Sequence, residues 1–229
     1  MERVPTGIKG LDEAMEGGFI KDSINLLAGN PGSGKSIFAM QYLVNGIVRY
    51  GEPGVYITLE ERKDNLIKNM KNFGWDLEKL EKDGKLSIVD LSPSSDFNAK
   101  SLSELKNRII KKIHAKRIVM DSLTSYFLLF EENPDKREAS LNLFDLLSGW
   151  GCTSLLVEES DVEAKRDSYF DFQADCIVFL YNFKQQEVRT RAMEVYKMRG
   201  SKHSTKTFPL EITDKGIVVY PEQEVFKGN

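Results

Sequence analysis

The sequence predicts an α/β protein with a largely parallel central sheet, helices on both faces and an antiparallel extension at its C-terminal end. Three observations predict it. Up to about residue 180, short β-branched apolar runs alternate with stretches whose apolar residues recur at helical spacing. From residue 187 onward, strands follow one another with no helix between them, which implies antiparallel neighbours. The first buried run, residues 23–28, leads into a glycine-rich loop and then a helix, the order that builds an anion site.

That loop, Gly29-Asn30-Pro31-Gly32-Ser33-Gly34-Lys35-Ser36, fits the pattern G-x-x-x-x-G-K-[S/T] at every fixed position. Glycines let backbone N–H groups close around a phosphate, and the helix N-terminus adds its dipole. Residues Asn30 to Ser36 are therefore the nucleotide-binding candidates, with Lys35 on the β- and γ-phosphates and the Ser36 hydroxyl a ligand to Mg²⁺. In the helix that follows, Ile37, Met40, Val44, Ile47 and Val48 recur at helical spacing.

The remaining elements follow in order. Residues 5–20 read as a lid-like helix of moderate propensity ended by the pair Gly17-Gly18. After a turn at 51–54, a strand over 55–59 runs straight into Glu60-Glu61, and a helix carrying Leu66, Ile67, Met70 and Phe73 stops at Gly74. Residues 85–89 read as a third strand and 92–100 as a Ser/Pro/Asn-rich loop. Ser101 and Glu104 have capping-box spacing ahead of the helical stripe Leu102, Leu105, Ile109 and Ile113. A fourth strand, 117–122, carries Asp121. An apolar run at 126–130, a polar break at 131–135 and a helix through Leu141, Phe144 and Leu147 lead to a fifth strand, 153–157, ending in Glu158-Glu159. A charged loop, 160–171, precedes the run 175–180. Strands at 187–198, 208–212 and 216–220 complete the chain, the last two joined by a hairpin turn. With no linker, repeat or low-complexity segment, one domain over residues 1–229 is expected, with its core at about 4–221.

Composition narrows the function classes. Hydrophobic content of 41% and charged content of 29% describe an ordinary globular chain, and a net charge of −3 gives no electrostatic pull toward nucleic acid or anionic membranes. The two cysteines, Cys152 and Cys176, lie far apart without metal spacing and are expected buried and reduced. No signal-peptide core or membrane-length apolar run occurs, so a cytoplasmic location is expected.

Acids at strand ends carry the chemistry, because ligands of an open parallel sheet gather at the carboxyl ends of its strands. Ile118–Asp121 has the form of a Walker B element, whose carboxylate holds Mg²⁺ opposite Ser36. Glu60 and Glu61 are candidates to orient and activate the water that attacks the γ-phosphate, in a site where Lys35 also acts. The alternative reading, less favoured, is first-turn acids placed by the helix dipole. Glu158 and Glu159 read as nucleotide sensors or as plain loop acids. Lys197, Arg199, Ser201 and His203 form a basic segment after a strand, which is either a solvated turn or a source of cations for a neighbouring subunit's nucleotide.

Taken together, Thr6-Gly7 with Leu11-Asp12 and Gly17-Gly18, the phosphate loop, Glu60-Glu61, Asp121-Ser122, Lys197-Met198-Arg199-Gly200-Ser201 with His203, and residues 212–216 resemble the KaiC family. That family is a branch of the RecA-like P-loop ATPases, and the resemblance runs from about residue 4 to 221. It implies a catalytic role for Glu60 and Glu61. It also implies that Lys197 and Arg199, with Ser201 and His203, reach a nucleotide bound to the adjacent subunit of a homo-oligomer, by preference a hexamer. Two departures stand out. Clock proteins carry two such domains and phosphorylate a Ser-Thr pair, whereas the matching stretch here, 171–175, has no hydroxyl.

Three readings follow. The first is a slow Mg²⁺-dependent ATPase acting as a nucleotide-gated regulatory oligomer. The second is a nucleotide-gated scaffold for a regulatory protein partner, with incidental hydrolysis. The third, a DNA-binding recombinase-like ATPase, is disfavoured by the acidic balance and by the mixed charges of loop 160–171.

Overall fold

The computed structural model describes residues 1–91, 102, 104–128, 133–160, 170–185, 187–223 and 225. The predicted loop at 92–100, the Ser101 half of the capping box and most of the charged loop 160–171 lie outside them. Eleven strands form among the described residues: β1 (Arg3–Val4), β2 (Phe19–Ile20), β3 (Ile24–Gly29), β4 (Gly54–Thr58), β5 (Leu86–Asp90), β6 (Arg117–Asp121), β7 (Thr153–Glu159), β8 (Cys176–Gln185), β9 (Val188–Met198), β10 (Thr207–Thr213) and β11 (Gly216–Val219). Nine of them make one sheet in the order β11-β10-β9-β8-β3-β7-β6-β4-β5. The pairs from β5 to β8 are all parallel, and β9, β10 and β11 are added antiparallel, as the alternation of the sequence predicts.

The helices are α1 (Leu11–Ala14), α2 (Lys35–Tyr50), α3 (Lys63–Met70), α4 (Leu77–Lys82), α5 (Lys111–Ile113, entered through a wider turn at Lys106–Ile110), α6 (Leu123–Phe127) and α7 (Asn133–Ser148). They cover both faces of the parallel sheet, because alternate residues of each strand point to opposite sides. Leu27, Val119, Leu155 and Val178 pack with α2 and α3 on one face. Leu26, Ile118, Met120 and Ile177 pack with Leu143, Phe144 and Leu147 of α7 on the other. Both cysteines are free and buried.

The structure departs from the sequence reading in three places. Residues 5–20 hold only the short α1, flanked by the antiparallel ribbon β1–β2. The Asp12 carboxylate accepts from Thr6 N, Thr6 Oγ1 and Gly7 N at 2.7, 2.7 and 3.0 Å, and this side-chain turn competes with helix. In α2 the buried positions run from Phe38 to Ile47, while Val48 is 69% exposed. The N-terminal segment causes that: Asn45 Nδ2 and Arg49 donate to Gly7 O at 2.9 and 3.0 Å, so this segment covers a flank of α2 that a surface helix leaves in water. In α7, Leu141 is 50% exposed, while Leu143 and Leu147 are buried.

The start of β6 carries a fully buried cation. Arg117 donates through Nε to Glu52 at 2.6 Å and through a terminal nitrogen to Tyr42 O at 3.0 Å, with its guanidinium 4.6 Å from the centre of the Tyr42 ring. Gly46 is the space that admits it, since a β-carbon there would meet Arg117 Nε at 2.4 Å. Gly46→Ala is therefore expected to destabilise the fold by about 1–3 kcal/mol through overpacking. Val48→Ala on the exposed side of α2 is expected to change stability by less than about 0.5 kcal/mol. Denaturant midpoints of the two variants test this, and equal midpoints would show that Arg117 is not held as described.

Candidate functional site

The site forms where β3 ends and α2 begins. The strand register puts Gly29 beside Glu159 of β7 and Leu180 of β8, and it puts Thr58 beside Asp121. Four strand ends therefore deliver their terminal groups to one edge. The loop's geometry explains its glycines. Gly32 and Gly34 have φ of 73° and 105°, which L side chains resist, and a β-carbon on Gly29 would lie 2.3 Å from Leu180 O. Gly34 is also the residue from which α2 starts, so the free N–H groups of the first helical turn open onto the loop.

A cleft of about 260 Å³ opens there, its walls including Lys35, Ser36, Glu60, Asp121, Ser122 and Glu159. Lys35 Nζ is bonded to loop carbonyls, Gly29 O at 2.9 Å and Asn30 O at 3.1 Å, and stands 3.8 Å from Glu159 Oε1. Burial holds the Lys35 ammonium below the usual lysine range, and the carboxylates of Glu159, Asp121 and Glu60 oppose that shift. Asp121 Oδ2 accepts from Ser36 Oγ at 2.8 Å and from the Tyr56 hydroxyl at 2.6 Å. Burial raises the Asp121 carboxyl above the usual range, and the two hydroxyl bonds pull it back.

A hydroxyl and a carboxylate oxygen, side by side at the end of a phosphate loop, fit a Mg²⁺ ion, which takes one or two protein oxygens and fills its other positions with water and phosphate. No cluster of three or more His, Cys, Asp or Glu side chains suited to a metal occurs among the described residues.

The two glutamates after β4 are separated by the fold. Glu60 Oε1 accepts from Ser122 Oγ at 2.6 Å and from Ser125 Oγ at 2.7 Å, on the wall of the cleft. The Glu61 carboxylate is held by Asn69 Nδ2 of α3 at 2.7 Å, and its backbone carbonyl accepts from Thr58 Oγ1 at 2.6 Å. Burial raises the Glu61 carboxyl, an effect the Asn69 bond opposes.

The basic segment lies elsewhere. Lys197 pairs with Ile177 of β8, and Arg199 N donates to Asp175 O at 2.8 Å, next to the start of β3. From Ile24 to the loop is five strand positions, roughly 16 Å, more than an arginine side chain spans. Within one chain, then, Lys197 and Arg199 are not brought to the phosphate loop. Lys197 Nζ donates to Asp171 O at 2.6 Å, and Arg199 donates to Phe172 O and stands 3.9 Å from Asp175. Burial and then the Arg199 charge lower the Lys197 pKa. Ser201 accepts from Arg3, and His203 follows in the same irregular segment.

Several site residues escaped the sequence reading. Asn182 Nδ2 donates to Pro31 O and Arg191 Nε to Gly32 O, each at 3.0 Å, so β8 and β9 brace the loop's outer arm. Nothing in their local sequence marks them. Tyr56 and Ser125 were equally silent. Ser122, named in the sequence only beside Asp121, caps α6 by accepting from Ser125 N at 3.4 Å. Thr124 Oγ1 accepts from Glu159 N at 3.1 Å and so fixes the end of β7.

Comparison with known proteins agrees with this architecture. The family model of the KaiC ATPase matches residues 4–224. A UPF0273 protein of Thermotoga maritima is 37% identical over 97% of this chain and 98% of its own length. The circadian clock oscillator protein KaiC of Synechococcus elongatus is 36% identical over 96% of this chain, which spans 44% of that longer protein. A crystal structure of a KaiC-like protein from the hyperthermophilic archaeon Pyrococcus horikoshii superposes with a TM-score of 0.88 at 41% identity, covering 96% of this chain and 99% of that one. A RecA-like sheet with a P-loop at the carboxyl end of its strands, and a family match over nearly its whole length, lead to one conclusion: the chain belongs to the KaiC ATPase family.

Proposed function

We propose that the chain is a slow, Mg²⁺-dependent ATPase that works as a nucleotide-gated regulatory oligomer, one domain to each subunit. The observation that carries this is the hydrogen-bonded pair of Ser36 and Asp121 in a cleft that Glu60 also lines. Backbone N–H groups of residues 32–36 and the positive end of α2 take the β- and γ-phosphates of ATP, and Lys35 turns from its own loop carbonyls to reach them. Mg²⁺, held by Ser36 and Asp121, would neutralise charge on the β- and γ-phosphate oxygens. Glu60 accepts the proton of the water whose oxygen bonds to the γ-phosphorus, while the bond from that phosphorus to the β,γ-bridging oxygen breaks and leaves ADP and phosphate.

Glu61 supports this geometry from behind, tied to Thr58 and Asn69. Lys197 and Arg199, with Ser201 and His203, act on the nucleotide of the next subunit of a ring, a hexamer by preference, because their own loop is out of reach. The absence of a hydroxyl in 171–175 argues against clock-type phosphorylation there. Two buried free thiols suit a reducing cytoplasm, and no helix among the described residues is long and apolar enough to cross a membrane. A net charge of −3 disfavours DNA as the partner. A nucleotide-dependent change in assembly would suit engagement of a regulatory protein.

Steady-state phosphate release tests the division between the glutamates. Glu60→Gln is expected to lower kcat by about 100-fold or more with nucleotide affinity retained, and Glu61→Gln to cost only a few-fold. Undiminished turnover in the Glu60 variant would sink the base assignment. Subunit sharing has a separate test, the mixing of Lys35→Ala protein with Arg199→Ala protein. Each is expected to be nearly inactive alone, and the mixture to recover a measurable fraction of turnover. A mixture no more active than its parts would refute completion of the site by a neighbour.

A further inference from the structure

We propose that Ser125, acting with Ser122, is a positioning residue that fixes the Glu60 carboxylate and leaves one of its oxygens for the attacking water. The inference rests on the reading of Glu60 as the base. Both hydroxyls donate to the same oxygen, Oε1, at 2.6 and 2.7 Å. A carboxylate has about four acceptor sites, so this arrangement occupies one oxygen and leaves Oε2 for a further donor.

Helix capping does not account for the pair. The cap of α6 uses a lone pair of Ser122 Oγ, which accepts from Ser125 N, whereas the bond to Glu60 uses the Ser122 proton. Ser125 has no such duty. A serine in the first turn of a helix commonly faces water or bonds locally, yet this hydroxyl reaches a residue 65 positions away at the end of β4.

Glu60 needs such a restraint. It is exposed at its own position, has a flexible side chain, and shares its edge with the carboxylates of Asp121 and Glu159, with Lys35 as the nearby cation. Repulsion and rotamer entropy both favour swinging it into solvent. Misplacing a reacting group by about 1 Å can cost on the order of a hundredfold in rate. The strap also joins functions, since α6 begins immediately after Asp121 and its Thr124 receives the N–H of Glu159. One five-residue helix therefore ties together the ends of β4, β6 and β7.

The test compares Ser125→Ala with Ser125→Thr, which keeps the hydroxyl at a half-exposed position. Ser125→Ala is expected to lower kcat about tenfold, the equivalent of one charge-assisted hydrogen bond, with KM and the thermal midpoint unchanged and with Ser125→Thr near wild type. In a Glu60→Gln background, Ser125→Ala is expected to cost nothing further. If Glu60→Gln stops turnover but Ser125→Ala does not slow it, positioning is overturned and the base reading survives. Failure of threonine to restore the rate, or a loss confined to KM or stability, also overturns positioning. If Glu60→Gln retains full turnover, the base reading falls and this inference falls with it.

Discussion

The Asp121 carboxylate is the interaction on which the rest of the site depends. Burying an anion is costly unless it is met by donors, and here Ser36 and Tyr56 both donate to the same oxygen. The three groups come from three parts of the chain: the donors Ser36 from the first turn of α2 and Tyr56 from the middle of β4, and the acceptor Asp121 from the end of β6. The bonds thus lock the phosphate loop to two strands it does not directly neighbour, because β7 lies between β3 and β6 in the sheet. The buried Tyr56 hydroxyl, held well above its ordinary pKa by burial and by the Asp121 charge, stays protonated and keeps donating.

How much of this was legible follows from the range of each interaction. The phosphate loop, the Asp121 strand and the paired glutamates are local patterns, because each needs only neighbouring residues to fix a strand end or a tight turn. The parallel sheet with its antiparallel extension was legible for the same reason, through periodicity and connection length. What escaped notice is non-local. Tyr56 reads as one more β-former until β6 is laid beside β4. Asn182 and Arg191 brace Pro31 and Gly32 from more than 150 positions away. The N-terminal segment misled more directly, since the helical pattern of residues 5–20 loses to the three bonds that Asp12 accepts from Thr6 and Gly7. The division between Glu60 and Glu61 was also invisible. Two adjacent acids leaving a strand point in different directions, and only the positions of Asn69 on one side and Ser122 and Ser125 on the other decide which faces the cleft.

Sheet geometry constrains the basic segment in a way that no rotamer change can undo. β9 runs antiparallel to β8, so the chain carries Lys197 and Arg199 toward the end of the sheet opposite the phosphate loop. Their charges are meanwhile turned to the backbone carbonyls of Asp171 and Phe172, and the N-terminal ribbon supports the same turn, with Arg3 donating to Gly18 O at 3.0 Å as well as to Ser201. The segment is braced from two sides and directed away from its own cleft. An anion there would compete with weak acceptors, two carbonyls and a carboxylate 3.9 Å away.

Lys35 completes the same logic at the loop. In the structure its ammonium is satisfied by Gly29 O, Asn30 O and the more distant Glu159 carboxylate. Burial lowers its pKa, and the surrounding carboxylates oppose that shift. A bound polyphosphate would bring several negative charges to the same point and displace Lys35 from the two carbonyls, at the cost of crowding Glu159 and Glu60. That repulsion bears unequally on the two acids. Glu159 is anchored through its backbone N–H to Thr124 while its carboxylate stands 3.8 Å from the Lys35 ammonium, whereas Glu60 is held by its carboxylate to two serines of α6. The two acids are thus held differently at one sheet edge, Glu60 through its carboxylate by two hydroxyls of α6 and Glu159 through its backbone by Thr124 and through its carboxylate near Lys35.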